Sequence, residues 1–128
     1  MIVVPTYAAI FALVFVFLSF RVIKARRQEK IAIGAGGSAV VERAMRVHAN
    51  FAEYVPFALL LLSFIEQKGA HFLYVNFLCL LLLVGRSVHI FGVSNENENF
   101  RYRIHGMLMT FATIVLAAIT LLLMAIAR

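Results

Sequence analysis

Four long apolar runs leave this chain few folds to choose from. Residues 3–23 are apolar apart from Thr6, Tyr7, Ser19 and Arg21. Residues 40–65 begin polar and become cleaner, and residues 71–93 are interrupted only by Asn76, Arg86, Ser87 and His89. Residues 104–127 are almost unbroken after His105. A membrane helix needs about 20 such residues. A transmembrane barrel would instead show alternating polarity over segments of about 10 residues. With 63% hydrophobic and 14% charged residues, too little polar surface remains for a soluble domain of this length. The expected fold is therefore an all-α, integral-membrane bundle of four transmembrane helices. It forms a single domain over residues 1–128, with helices at about 3–25, 40–66, 70–94 and 100–127.

The first run lacks a basic leading segment, is longer than the apolar part of a signal peptide, and runs into charges rather than a small-residue cleavage site. It reads as a retained helix. Cys79 lies inside the third run with no second cysteine to pair with, and reads as a packing residue. The connections are polar: a basic run followed by GAGGS, then the short turn IEQKGA, then GVSNENENF. GAGGS has no strand before it and no Lys-Ser/Thr after it, so it is a turn rather than a phosphate loop.

Of the twelve Lys and Arg residues, all but Lys68 and Arg128 fall toward the first and third loops. Positive charge accumulates on the cytoplasmic side, so loops one and three are expected inside the cell and both termini outside. The net charge of +6 is then a topology signal. Nucleic acid is not an expected partner, because the charges flank helices and no recognition element accompanies them.

The second run carries polar residues that a plain spanning helix would exclude. At about 100° per residue, and with Arg46 as reference, Asn50 lies near +40°, Glu53 near −20°, Glu42 near −40° and Arg43 near +60°. His48 falls on another face, near 200°. Burying one charge in a bilayer costs about 2.5–3.5 kcal/mol, so the stripe calls for partners. Arg46, Asn50 and Glu53 stand at i,i+4 and i,i+3 spacing and could form a hydrogen-bonded chain. Such a chain could serve simply to tie helices together. The other helices bring more to the same depth: Arg86 and His89 on the third, Arg101 and His105 on the fourth, Arg21 and Lys24 on the first. Their convergence predicts a cationic pocket suited to an anionic, amphipathic small molecule.

These residues resemble a known family. The spacing of Arg46, His48, Asn50, Glu53 and Pro56, the preceding Val41–Arg43, and Gly85, Arg86 and His89 are similar to the signatures of the MAPEG proteins, membrane-associated proteins in eicosanoid and glutathione metabolism. The likeness covers nearly the whole chain and is strongest to the short bacterial branch. It implies a homotrimer in the bacterial inner membrane with glutathione as thiol co-substrate, bound between protomers near the cytoplasmic face. The residues implied for binding are Arg21, Arg46, His48, Asn50, Glu53, Arg86 and His89. Arg101 is implied as the catalytic residue that stabilises the thiolate, with Arg103 as its alternate. A lipophilic electrophile would enter from the membrane, in a transferase or peroxidase reaction. Val93 and His105 stand where glutathione-using members tend to carry tyrosines, and Tyr102 is the hydroxyl beside Arg101.

Two other readings compete. A non-catalytic membrane protein could bind an anionic lipid or metabolite in the same pocket. A proton-coupled transporter could use Glu53, but such a carboxylate should stand clear of cations. No metal is expected, since the four histidines lack paired ligand spacing.

Overall fold

The structure, a computed structural model, describes residues 2–127, so Arg128 of the charge count lies outside it. Four helices run in order: α1 (Val4–Glu29), α2 (Ala39–Gln67), α3 (Phe72–Ser94) and α4 (Phe100–Ile126). The shortest, α3, has 23 residues. At about 1.5 Å per residue it is roughly 35 Å long, enough to cross a hydrocarbon core of about 30 Å. All four helices are long and apolar enough to span a membrane.

Each helix start is chemically marked. Ser38 Oγ accepts from the Val41 amide at 3.3 Å, His71 Nδ1 from Leu73 at 3.3 Å, and Asn99 Oδ1 from Arg101 at 3.1 Å. These bonds satisfy amides that a helix leaves unpaired in its first turn. α1 is capped from a distance instead. Glu66, at the far end of α2, takes the Val3 amide and lies 3.2 Å from the Val4 amide. A carboxylate there also meets the positive end of the helix dipole. α1 runs past the expected residue 25 to Glu29, because Arg26 and Arg27 favour its last turn, and stops at Lys30 with φ of 54°.

α2 and α3 each touch all three other helices, whereas α1 and α4 do not meet. The core between them includes Phe11, Leu18, Phe51, Val55, Leu62, Leu78 and Leu82. α3 and α4 approach closely at glycines. A Cβ on Gly106 would lie 2.6 Å from the Gly85 carbonyl oxygen, and one on Gly92 would lie 2.9 Å from the Arg103 amide. Small residues permit such backbone contact between membrane helices. The contact holds α4 in the register that carries Arg103 toward α2. Large apolar residues such as Leu13, Phe20, Leu122 and Leu123 face outward, as a bilayer or a neighbouring chain requires.

Candidate functional site

Arg86 is the centre of the polar interior. Only 1% of it is exposed, so its charge must be compensated inside the bundle. Its Nη2 donates to Asn50 Oδ1 at 2.7 Å and meets His89 Nδ1 at 3.1 Å. Its Nη1 lies 3.5 Å from both Thr110 Oγ1 and Met107 Sδ. The ring of Phe51 stands 5.9 Å from the guanidinium carbon, close enough for a cation–π contribution. Nε has no partner, and no carboxylate pairs with Arg86 among the described residues. The cation is thus held by dipoles rather than by a counter-charge.

In front of Arg86 lies a small cavity of about 80 Å³, lined by Arg46, Ala49, Asn50, Glu53, His89, Val93 and Arg103. Three helices contribute: α2 the stripe, α3 His89 and Val93, α4 Arg103. Arg46 and Glu53 are exposed, and the expected chain through Arg46, Asn50 and Glu53 does not form, because Arg86 takes the Asn50 carbonyl. Arg86 is buried against that oxygen and makes a charge-assisted bond to it, while the Arg46 guanidinium is left toward the exposed side.

An adjoining cavity of about 270 Å³ shares Arg46, Val93 and Arg103 and adds Ala39, Glu42, Arg43 and Glu98. Its far wall is a clasp. Glu98, in the loop between α3 and α4, binds Arg43 at 3.0 Å and Arg103 at 3.4 Å. Arg43 also donates to the carbonyls of Val93 at 3.2 Å and Glu96 at 3.4 Å. The Glu98 side chain is only 9% exposed. The hydrogen bond from Arg43, with help from Arg103, holds its carboxyl below the ordinary value despite that burial.

The remaining expected site residues lie elsewhere within one protomer. Arg21 donates to Ser94 Oγ at 2.9 Å and lines a separate cavity of about 470 Å³ with Lys24, Arg43 and Phe20. His48 faces α1, with Nε2 at 3.0 Å from Ser19 Oγ and its ring stacked 4.8 Å from Phe15. Arg101 is exposed on the first turn of α4, and its carbonyl accepts from His105 Nδ1 at 2.6 Å. Arg86 lies behind the 80 Å³ cavity rather than lining it. Neither Thr110, whose role depends on tertiary contact alone, nor Glu98, in a polar loop, lies on the helical stripe of α2. Both bind arginines the sequence had already singled out.

The sequence matches the MAPEG family over residues 4–123. This chain belongs to the MAPEG family. It is also 36% identical over 110 residues to the inner membrane protein YecN of Escherichia coli K12, covering 86% of this chain and 82% of that one. The same figures hold for YecN of Escherichia coli O6:H1. The resemblance drawn from Arg46, His48, Asn50, Glu53 and Pro56 therefore holds, as does the four-helix membrane fold. Membership extends the comparison to all four helices, from the first residue of α1 to near the end of α4. MAPEG proteins include glutathione transferases and peroxidases, and it is that chemistry which the cavity between α2, α3 and α4 has to be weighed against.

Proposed function

We propose that this protein is a membrane-bound, glutathione-dependent transferase or peroxidase acting on lipophilic electrophiles. The observation that carries the reading is the α2–α3–α4 cavity, where two arginines, an amide, an imidazole and a carboxylate meet beside lipid-facing helices. Glutathione carries two carboxylates, an ammonium group and a thiol. Arg46 suits a carboxylate through paired guanidinium hydrogen bonds, and Glu53 suits the ammonium group. Arg103 is the cation placed to face sulfur, where its charge favours thiolate over thiol. Cavity lining supports Arg103 over Arg101 for that role. A thiolate so held would attack an electrophilic carbon, forming a thioether and expelling the leaving group. With a hydroperoxide, two thiols would give a disulfide, an alcohol and water.

Size supports a homotrimer. A cavity of about 80 Å³ is well below the roughly 300 Å³ at which small-molecule pockets begin. The adjoining space and a neighbour's surface would complete it, and a neighbour would also cover the exposed Arg46 and Glu53. Arg21, on α1, and His48, which packs against α1, would then serve the adjacent protomer's site. The relative YecN supports placement in a bacterial inner membrane. The charge distribution supports loops one and three inside and both termini outside.

Val93 on the cavity wall favours a second reading, a non-catalytic binder of an anionic lipid or metabolite, because no hydroxyl stands there to assist a thiolate. Calorimetric titration of the detergent-purified protein with glutathione separates the readings. Saturable binding that weakens at least about tenfold in Arg46→Leu is expected, a change of about 1.4 kcal/mol. No heat with the wild type removes glutathione and leaves the plain binder.

A further inference from the structure

Arg86 reaches the cavity only through its neighbours, and what it does to them follows from its chemistry. A guanidinium has five N–H donors and no acceptor. Whatever it bonds must therefore offer a lone pair. At Asn50 the oxygen is drawn to Nη2 at 2.7 Å, which turns the amide NH₂ away from Arg86. At His89 the atom facing Nη2 is Nδ1, at 3.1 Å, so Nδ1 carries the lone pair and a neutral ring has its proton on Nε2. A doubly protonated ring would set two cations against each other with no carboxylate between them. Thr110 is aligned the same way: its hydroxyl donates to the Gly106 carbonyl at 2.9 Å, leaving its oxygen lone pairs toward Arg86.

The freed groups belong to residues of the cavity wall, since both Asn50 and His89 line the cavity. His89 is only 3% exposed, yet Nε2 is not among the sealed, unpartnered polar atoms. The small exposed part of the ring therefore includes Nε2.

We infer that Arg86 is a positioning residue that sets the polarity of the cavity wall, making Asn50 and His89 N–H donors toward an anionic oxygen of the ligand. The subsite so formed takes a carboxylate beside Arg46. Only the identity of the ligand rests on the glutathione reading; the donor polarity is a property of the empty bundle. A cation thus attracts an anion without contacting it, by choosing the tautomer of one neighbour and the amide orientation of another.

Nitrogen-15 NMR of histidine-labelled protein in detergent micelles, without ligand and near pH 7.5, tests this, with His89→Gln assigning the resonance. The wild type should show a single neutral tautomer at His89, with Nδ1 unprotonated and the proton on Nε2. A proton on Nδ1, or a charged ring, overturns the inference before any variant is made. Arg86→Met should leave His89 as a tautomer mixture, and Arg86→Lys, which restores a donor, should recover the single form. A single Nε2–H form persisting in a folded Arg86→Met also overturns it. Added glutathione should then shift the His89 Nε2 resonance. The predicted tautomer without that shift, combined with a shift on adding acetate, upholds the subsite and rejects glutathione. No shift with either anion overturns the subsite.

Discussion

No side chain stands between Gly106 and α3, and the register of the polar interior depends on that. A Cβ at this position meets the Gly85 carbonyl oxygen at 2.6 Å and the His89 amide nitrogen at 2.7 Å. Backbone cannot yield as a side chain can, so Gly106→Ala must push α4 away from α3. Overpacking of this kind costs about 1–3 kcal/mol, and a lowered thermal midpoint in detergent is the expected outcome. An unchanged midpoint would mean the helices are not in this contact. Only part of the candidate site is legible in the sequence. Arg46, Asn50 and Glu53 were legible because helical spacing puts them on one stripe, and they share a cavity. Their bonding was not legible. Asn50 sits at good spacing for Arg46, yet it pairs with Arg86, 36 positions away in sequence. Arg103 was visible only as the alternate to Arg101, since two arginines two residues apart on a helix differ only in which face meets α2.

At the scale of elements, the helix ends are held by acids that reach across the bundle. Glu66→Ala removes the acceptor for the first amides of α1, a loss comparable to removing an N-cap, about 1 kcal/mol. Hydrogen exchange at Val4 and its neighbours should accelerate, with α3 unaffected; unchanged protection at Val4 would contradict the cap. Glu98 gives the third loop a pH dependence of definite sign. Its carboxyl titrates below the ordinary value of 4.5 in the folded protein, chiefly through the Arg43 hydrogen bond. The clasp therefore contributes fully above that ordinary value and is lost as pH falls through the lower folded value. Limited proteolysis of residues 95–99 should speed up on acidification toward pH 3, and Glu98→Gln should be fast at every pH. A loop equally resistant at pH 3 and pH 7 would contradict the clasp. The four helices themselves were legible in the apolar runs, because length and continuity alone demand them. α1 outran its expected end, since a basic last turn suits a helix while lowering the local hydropathy from which the boundary was drawn.

For the molecule as a whole, one protomer leaves the stripe carboxylate Glu53 and Arg46 exposed on a membrane helix, while His48 turns to another face. Native mass spectrometry in mild detergent should therefore report trimers, and monomers alone would remove the shared site. Reporter fusions in the first and third loops should read cytoplasmic, and a cytoplasmic C-terminus would reverse the charge-based orientation. The central claim is that this bundle binds glutathione and ionises its thiol beside Arg103. Its most direct test is the ultraviolet absorbance of thiolate in the protein–glutathione complex, titrated against pH. The wild type should ionise the bound thiol at least about one pH unit below free glutathione, equivalent to about 1.4 kcal/mol of thiolate stabilisation. Arg103→Leu should abolish that shift while binding persists, and Arg101→Leu should leave it in place. A wild-type complex whose thiol titrates like free glutathione would contradict the account.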